Sequence, residues 1–363
     1  MVSLNIIKTI LNRSFWKIIE NHPELETINN FSHKPFSDLV PDFDSDLINK
    51  SYLNDNKKWD HKEYIYKLNK PCIIEPQYSY VIIGFNKIIA NSIFYSEVLP
   101  SFSKYLKKIL FKKKYLILES AFVFDGDVSL TYFHFYSDVI NKIWLLDKYN
   151  IDKNTPMIVG NKTFNSNYFQ YLYNNTNLKN FNWVVQNKDI IIKSKHTYVA
   201  RPMPYDVNLW KQTLSLLNIK SNKSENISRI FLNRSVKAGR YISNFQELEP
   251  VLKKYNFGIF DTDALSSEDQ VKIFSKTKFL ISVHGSAETN IIFAYQNNPG
   301  LLEIMPQNRI ACHYYWLTNA FGFYYDVIIG SEMLDYENNV EGGFVVSKDV
   351  LEKAILKMIV SSN

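Results

Sequence analysis

Between residues 205 and 330, short apolar runs typical of buried strands alternate with longer segments of helical spacing. The runs read RIFLNR (229–234), FGIFD (257–261), KFLISVH (278–284), GLLEIMP (300–306) and YYDVIIG (324–330). Strands that alternate with helices in this way form βαβ units, and successive units build a parallel sheet covered by helices. This region therefore predicts an α/β fold, with ligand-binding loops at the carboxyl ends of its strands.

The chain upstream of this region also contains strand patterns, and they surround a stretch of helical spacing at 132–149. A chain of 363 residues with 46% apolar content is long enough to form two cores. We therefore predict an N-terminal domain over 1–204, a C-terminal domain over 205–345, and a final helix over 346–363 that packs back toward the N-terminal domain.

Charge and cysteine content limit the classes of partner and compartment. The chain has 42 basic and 36 acidic residues, a net charge of +6. This surplus is too diffuse to indicate a nucleic-acid partner, but it suits an anionic small ligand or an acidic membrane surface.

No apolar run reaches the roughly 18 residues of a membrane span, and residues 1–21 have helical spacing without the features of a signal peptide. Cys72 and Cys312 can pair, but an oxidised secreted chain of this size usually has more cysteines, so we expect a reducing, cytoplasmic compartment. We expect residues 1–21 to pack on the domain, and the alternative is a membrane-surface helix, with peripheral association at the inner face of the membrane.

The motif HGSAETN (284–290) stands where a buried strand gives way to an apolar segment of helical spacing. Open parallel sheets bind ligands at this end of a strand, where the first turn of a helix offers unpaired N–H groups. Gly285 allows close approach of the backbone, and Ser286 offers a hydroxyl. These features predict a phosphate-binding turn, and the alternative is an ordinary strand–helix turn with a hydrogen-bonded histidine. The candidate binding residues of the motif are His284, Gly285, Ser286, Glu288, Thr289 and Asn290.

Polar side chains near two other strands extend this candidate site. Arg234 ends the strand 229–234, and Arg240 follows it in a glycine-containing loop. Guanidinium groups bind phosphate through paired hydrogen bonds and keep their charge, so two of them suit a diphosphate; the alternative is two solvated loop arginines. Glu303 lies in an apolar strand, where its carboxylate suits the hydroxyls of a ribose unless it is merely salt-bridged. Asn244 is placed to cap the helix that follows it, and it is also a candidate for binding the nucleotide sugar.

His134 and Asp138, in the segment YFHFYSD, are the candidates for a catalytic base. They are four residues apart and therefore share one face of the predicted helix. A histidine oriented by a carboxylate is the usual general base near neutral pH, although a buried, hydrogen-bonded histidine among aromatic residues gives the same pattern. Which of the two residues accepts the proton stays open.

The chain contains Asp-x-Asp triplets, at Asp42/Asp44, Asp125/Asp127 and Asp261/Asp263. Such a pair of carboxylates can hold a divalent metal that bridges a diphosphate. In a chain this rich in aspartate the recurrence of the triplet favours coincidence, so we expect none of them to be a metal site. The first triplet lies in a polar stretch (41–64) that predicts a loop.

Taken in order, these residues resemble the conserved region of glycosyltransferase family 61. The resemblance covers residues 120–310, and YFHFYSDVINKIWLL is similar to the upstream histidine segment of the family. The other positions that carry it are Arg234, Arg240, Asn244, Leu265, Ser266, Gln270, Val271, Phe274, His284, Gly285, Thr289, Asn290, Phe293, Glu303 and Pro306.

The resemblance implies a GT-B architecture, in which two Rossmann-like domains face a cleft. It also implies an inverting transfer from a nucleotide sugar, with no obligatory metal or other cofactor. Arg234 and Arg240 would neutralise the departing diphosphate, and the turn at 285–290 would donate N–H groups to it. Glu303 would hold the ribose of the donor.

The resemblance further implies that His134 or Asp138 deprotonates a hydroxyl of the acceptor, an oligo- or polysaccharide that is lipid-linked or free. The chain departs from the family at Ala287 and Glu288, where a glycine and an apolar residue are usual. A carboxylate beside a diphosphate is repulsive. We therefore expect Glu288 to contact the donor sugar, to act as a base or to indicate a different donor.

Secretory members of this family carry a membrane anchor and several cysteines, which are not found in this sequence. The expected enzyme is therefore cytoplasmic, of the bacterial or viral type, and builds capsule, lipopolysaccharide or another surface glycan. One alternative is a nucleotide- or glycan-binding GT-B-like module without catalysis. A dinucleotide-dependent enzyme is a weaker alternative, because no G-x-G-x-x-G follows a strand pattern.

Overall fold

The computed structural model describes residues 13–93, 99–111, 115–216, 228–333 and 342–361. The chain forms two compact units: unit 1 consists of Met1–His33 and His61–Pro204, and unit 2 of Lys34–Asp60 and Tyr205–Asn363. The chain thus passes from one unit to the other after residue 204, where the sequence analysis also divides it. Residues 34–60, which we placed in the N-terminal domain, belong instead to unit 2.

Unit 1 is built on a ten-stranded mixed sheet. Its strands are β1 (Lys17–Ile19), β2 (Leu25–His33), β3 (His61–Leu68), β4 (Cys72–Ile74), β5 (Val81–Ile83), β6 (Lys87–Ile89), β7 (Tyr115–Val123), β8 (Met157–Gly160), β9 (Trp183–Gln186) and β10 (Ile191–Arg201). The order along the sheet is β1-β6-β5-β4-β10-β7-β8-β9, with β3 paired to β10 and β2 paired to β3.

The last four strands of unit 1 are parallel: β8 and β9 follow on one side of β7, and β10 lies on the other side. A reversal of this kind is a topological switch point, and open α/β sheets bind ligands beside it, at the carboxyl ends of the strands. The chain leaves β7 at Val123 and leaves β10 at Arg201. These two strand ends therefore mark where a site of unit 1 is expected.

The helix predicted at 132–149 follows β7 and has a rare interruption. It runs as an α-helix over Tyr132–His134, a π-helix over Phe135–Ile140 and an α-helix over Lys142–Lys148. Turns of π-helix inside α-helices occur frequently at functional sites. The other helices of unit 1 are Phe102–Phe111, Asn161–Phe164 and Asn167–Asn175, with 3₁₀ segments at Ala90–Ser92 and Asn177–Asn180.

Unit 2 contains the parallel sheet that the alternating pattern predicts, so the α/β class is confirmed. Its strands are β11 (Ser228–Leu232), β12 (Tyr241–Ile242), β13 (Gly258–Phe260), β14 (Thr277–Val283), β15 (Gly300–Pro306), β16 (Tyr324–Gly330) and β17 (Gly343–Phe344). The five-stranded sheet has the order β13-β11-β14-β15-β16, and β12 pairs with β17. Because β13 and β14 lie on opposite sides of β11, the switch point of this sheet lies at the ends of β11 and β14.

The helices of unit 2 are Asp46–Lys58, Val207–Leu216, Phe245–Lys254, Ser267–Phe274, His313–Phe321 and Lys348–Ser361, with 3₁₀ segments at Val236–Ala238, Thr262–Ala264 and Ser286–Asn297. The segment after β14, expected as an α-helix, is thus a 3₁₀ helix. The last helix buries Leu351, Ile355 and Met358 in the core of unit 2, and its expected packing toward the N-terminal domain stays a prediction. The helix packs in this core because these residues form one apolar stripe along it.

The polar stretch predicted as a loop contains the helix Asp46–Lys58, which is tied to unit 2 by long-range hydrogen bonds. The hydroxyl of Tyr52 lies 2.9 Å from that of Tyr325. Trp316 Nε1 donates to Asn56 Oδ1 at 2.6 Å. These bonds explain why residues 34–60 belong to unit 2, although they precede most of unit 1 in the sequence.

Part of the predicted N-terminal helix, residues 1–12, lies outside the described residues. Among the helices that the structure describes, none is long and apolar enough to cross a lipid bilayer. Cys72 and Cys312 are free, buried thiols.

Candidate functional site

The switch point of unit 2 brings Arg234 and Gly285 into contact. Arg234 follows β11, and Gly285 follows the neighbouring strand β14. Arg234 Nε donates to the carbonyl of Gly239 at 2.9 Å, and Nη2 donates to the carbonyl of Ala238 at 2.7 Å. A Cβ atom at Gly285 would collide with Arg234 Nη1. Since the φ of Gly285, 173°, is extended, glycine is required by this close approach and not by the backbone conformation.

Arg240 adds a second positive charge to the same turn. Its Nη1 donates to the carbonyl of His284 at 2.7 Å, and its backbone has a φ of +50°, in the left-handed region that is costly for residues other than glycine. Burial, together with the positive charges of Arg240 and Arg309, lowers the pKa of Arg234 to about 10, so Arg234 stays protonated at neutral pH. An anion bound among these arginines would relieve their mutual repulsion.

A chain of hydrogen bonds runs from His284 into the interior of unit 2. His284 Nδ1 is hydrogen-bonded to Glu303 Oε1, and the hydroxyl of Tyr325 donates to Glu303 Oε2 at 2.5 Å. The hydroxyl of Tyr52 lies 2.9 Å from that of Tyr325 and donates to the carbonyl of Ala311 at 3.2 Å. Glu303 is fully buried. Both of its oxygens therefore have protein partners, and its predicted contact with a ribose stays a prediction.

Glu288 is a second fully buried carboxyl beside this chain. Its Oε2 accepts a long hydrogen bond from the backbone N–H of Gly285 at 3.5 Å and lies 3.9 Å from His284 Nδ1. Its Oε1 has no hydrogen-bond partner among the described residues. Burial, reinforced by the charge of Glu303, raises the pKa of Glu288 well above its ordinary value. A protonated Glu288 removes the repulsion that the sequence suggests between this side chain and a diphosphate.

His284, Glu288 and Glu303 form the group that could hold a metal ion in the described part of the chain, because their ligand atoms lie within 4.8 Å of one another. None of the Asp-x-Asp triplets belongs to this group. Asp261 instead accepts from the backbone N–H of Asp263 at 3.0 Å, which shapes its own turn.

We expect Glu288→Gln to change how the stability of the protein depends on pH. The folded chain binds the Glu288 proton more tightly than the unfolded chain does. The stabilising effect of this proton is therefore complete below the ordinary carboxyl pKa of 4.5. The effect is lost as the pH rises through the raised pKa. The free energy of unfolding of the wild type should therefore fall relative to that of Glu288→Gln, by up to about 1.4 kcal/mol per pH unit. Urea unfolding from pH 5 upward measures this, with the exposed Glu268→Gln as control; equal slopes for both variants would contradict it.

The remaining predicted binding residues of unit 2 contact other parts of the protein. The hydroxyl of Thr289 lies 3.1 Å from that of Tyr314, and Asn290 Nδ2 donates to Gln270 Oε1 at 3.1 Å. Ser286 is half-buried and opens the 3₁₀ helix after Gly285. Their predicted contacts with a donor stay predictions.

Asn244 occupies the N-cap position of the helix Phe245–Lys254, but its side chain makes no capping hydrogen bond. Its Nδ2 donates to the carbonyl of Val346 at 2.9 Å, and its Oδ1 accepts from the N–H of Val346 at 3.0 Å. Asn244 is therefore the N-cap residue, as predicted, but its amide holds the segment after β17. Its contact with a nucleotide sugar stays a prediction.

In unit 1, the predicted pair of His134 and Asp138 is hydrogen-bonded. His134 Nδ1 lies 2.8 Å from Asp138 Oδ2, and the hydroxyl of Ser137 donates to the same oxygen at 2.5 Å. Asp138 is 1% exposed, whereas the side chain of His134 is 20% exposed. The histidine is thus the member of the pair that solvent can reach, and Asp138 fixes the orientation of its ring.

Arg201, which the sequence analysis missed, completes this group from the end of β10. Its Nε lies 3.7 Å from Asp138 Oδ1. Burial opposes the charged form of Asp138, but the hydrogen bond of His134 and the charge of Arg201 outweigh it and lower the pKa of this carboxyl. Asp138 is therefore ionised at neutral pH. The signal in the sequence was an arginine at the end of a strand, the same feature that singled out Arg234.

Asp125, from one of the Asp-x-Asp triplets, has a structural role at the end of β7. Its carboxylate accepts from the N–H of Gly160 at 2.8 Å and from the hydroxyl of Thr163 at 3.0 Å. The fully buried Lys142 donates to the carbonyls of Phe124 at 2.9 Å and Asp125 at 3.2 Å, and burial lowers the pKa of Lys142 to about 7. These bonds tie the helix that carries His134 to the strand end below it.

Comparison with protein families identifies a region that contains the switch point of unit 2 and the helix of His134. Residues 132–302 match the model of the family described as glycosyltransferase 61. This match supports the assignment of the chain to glycosyltransferase family 61. The matched region begins with the helix of His134 and ends in β15, beside Glu303. No curated protein matches the chain. The matched region is therefore similar to glycosyltransferases, as the resemblance implied.

Proposed function

We propose that this protein is a family 61 glycosyltransferase, an inverting enzyme that moves a hexosyl or pentosyl group from a nucleotide sugar to a hydroxyl of a glycan. The observation that carries the proposal is the convergence of Arg234 and Arg240 on the turn at His284 and Gly285. Guanidinium groups, backbone N–H groups and a switch point are the features that favour a bound diphosphate.

In the proposed reaction, Arg234 and Arg240 neutralise the departing nucleoside diphosphate together with the N–H groups of residues 285–290. Charges that are already in place stabilise a leaving group without further rearrangement of the site. The mechanism therefore requires no metal, although His284, Glu288 and Glu303 offer ligand atoms for one. A neutral Glu288 can donate a hydrogen bond to an oxygen of the donor.

The remaining donor contacts are assigned to residues around the same turn. Glu303 would bind the ribose, in exchange for one of its bonds to His284 and Tyr325. Ser286 would offer its hydroxyl, which lies at the start of the 3₁₀ helix. Thr289 and Asn290 would support the turn through the contacts described above. The predicted contact of Asn244 with the nucleotide sugar is also part of the proposal.

Unit 1 provides the base in this proposal. His134 Nδ1 is bound to an ionised Asp138, so Nε2 is the nitrogen that can accept the proton of the acceptor hydroxyl. Inversion needs a single displacement, with one base at the acceptor and positive charge at the leaving group. The two sets of residues, His134 with Asp138 and Arg234 with Arg240, meet those two requirements.

We extend the proposal to a GT-B architecture and to an acceptor in surface polysaccharide synthesis, such as capsule or lipopolysaccharide, either lipid-linked or free. A switch point between parallel strands in each unit supports the architecture. The two free, buried thiols support a reducing, cytoplasmic compartment. An acceptor of this kind also implies peripheral association with the inner face of the membrane.

A thermal-shift panel of UDP, GDP, CDP, CMP, dTDP and NAD tests the donor site. A ligand that binds only the folded chain stabilises it by about 2.7 kcal/mol at 100 times its dissociation constant. We expect one nucleoside phosphate to raise Tm and NAD to leave it unchanged. Stabilisation by NAD alone would indicate a dinucleotide enzyme and overturn the proposal. A nucleotide shift without turnover of any matching nucleotide sugar would favour a non-catalytic binding module.

A further inference from the structure

Four large apolar side chains of unit 1 are exposed close together, and we call them the apolar patch. They are Leu110 (68% exposed), Phe111 (77%), Tyr115 (40%) and Ile117 (69%). Leu110 and Phe111 end the helix Phe102–Phe111, and Tyr115 and Ile117 begin β7. The hydroxyl of Tyr115 donates to the carbonyl of Ile109 at 3.0 Å. This bond places the end of the helix beside the start of the strand, so the patch is one surface.

The patch faces outward on both elements. The helix buries Tyr105. Its exposed side carries Lys104, Lys107 and Phe111, at spacings of three and four residues. In β7 the alternate residues Leu116 and Leu118 pack against the core of unit 1. Tyr115 and Ile117 therefore point to the opposite face of the strand. These side chains are not needed for the core of unit 1.

Positive charge surrounds the patch. Lys193 of β10 is paired in register with Ile117, and its Nζ lies 4.3 Å from the centre of the Tyr115 ring. Lys104 and Lys107 lie exposed on the helix. The nearby carboxylate of Glu119 lies 2.7 Å from Lys195 Nζ and is neutralised by it. The surface therefore combines exposed apolar groups with an excess of lysine.

We propose that the apolar patch and Lys104, Lys107 and Lys193 form a docking surface for an anionic lipid bilayer. Apolar side chains enter the boundary between headgroups and acyl chains, and lysines are attracted to acidic headgroups, so the two features act together. A second copy of the chain fits this surface less well, because a symmetric dimer would bring the same lysines together. The inference deepens the proposed function and rests on it for its purpose, since a lipid-linked acceptor lies at that bilayer.

Sedimentation of the full chain with vesicles tests the docking surface. We expect binding to vesicles of phosphatidylcholine and phosphatidylglycerol in equal amounts, weak binding to phosphatidylcholine alone, and a loss of affinity as salt is added. Each lysine contributes roughly fivefold to affinity, so Lys104→Glu combined with Lys107→Glu should weaken binding by roughly 25-fold or more. Leu110→Ser combined with Phe111→Ser should weaken binding to the mixed vesicles even at low salt.

Matched substitutions elsewhere on the chain serve as controls. Lys353→Glu changes an exposed lysine of unit 2, and Val236→Ser combined with Val360→Ser removes apolar side chains that are 70% and 74% exposed. These variants should bind like the wild type. Equal binding to both kinds of vesicle, or equal losses in the patch and control variants, would overturn the proposal. The proposal would also be overturned if the chain formed a dimer in solution and Leu110→Ser combined with Phe111→Ser dissociated that dimer.

The outcome is separable from that of the transferase proposal. Vesicle binding is measured without a donor, and the nucleotide shifts are measured without lipid. Failure of vesicle binding with intact nucleotide shifts would reject the docking surface alone. Failure of nucleotide binding with intact vesicle binding would reject the donor site alone.

Discussion

Replacing His134 with alanine is expected to lower kcat by about 10²–10⁴-fold, the contribution of a positioned general base. The imidazole is partly exposed, and its Nδ1 is held at 2.8 Å by the carboxylate of Asp138, which leaves Nε2 for the acceptor hydroxyl. His134 is proposed to contact the acceptor and not the donor, so its loss should leave donor binding intact. The nucleotide-induced shift in Tm should therefore match that of the wild type. Initial rates against pH, with the donor identified by the thermal-shift panel, measure the effect.

The control for this prediction is His33→Ala, which removes an exposed histidine of β2 in the same unit. It should leave kcat unchanged. Asp138→Asn tests the other candidate for the base, since it keeps the shape of the side chain but removes its charge. If Asp138→Asn abolished transfer while His134→Ala retained it, Asp138 would be the base and our assignment would be wrong. The burial of Asp138, which is only 1% exposed, argues against that result.

Local patterns in the sequence were sufficient to predict the strands and the helix that carry the candidate residues. The apolar runs at 278–284 and 300–306 became β14 and β15, because a buried strand needs only a short apolar stretch with β-branched residues. The spacing of His134 and Asp138 predicted a shared helix face, and they are hydrogen-bonded even though the helix changes to a π-helix between them. Features set by spacing of a few residues could therefore be read from the sequence.

Features set by contacts between distant residues could not be read in this way. The apolar patterns did not predict the hydrogen bond between Glu303 and His284, because one residue lies inside a predicted strand and the other ends a different strand. The helix at residues 46–58 was missed because its polar sequence looks like a loop. Its place in unit 2 depends on bonds from Tyr52 and Asn56 to residues more than 250 positions away. Contacts of this kind leave no periodic pattern along the chain.

Replacing Arg234 with alanine is expected to lower kcat/KM by about 10²–10³-fold, because the site loses a charged donor to the departing diphosphate. Arg234→Lys should recover only part of this loss, since an ammonium group keeps the charge but not the planar fork of donors. The control is Lys237→Ala, which removes one positive charge from the exposed part of the same loop. It should leave both kcat/KM and the nucleotide-induced shift in Tm close to the wild-type values.

Arg234 also holds its own loop through the carbonyls of Gly239 and Ala238, so a loss of activity could come from a disordered loop. Two measurements separate this from a direct role. Tm without ligand reports on the loop, and the nucleotide-induced shift reports on the anion site. If Arg234 has a direct role, Arg234→Lys should keep the ligand-free Tm near the wild-type value. It should nevertheless bind the nucleotide more weakly than the wild type. If Arg234→Ala bound the nucleotide as tightly as the wild type while Lys237→Ala lost it, the diphosphate would lie against the exposed side of the loop, away from the turn at Gly285.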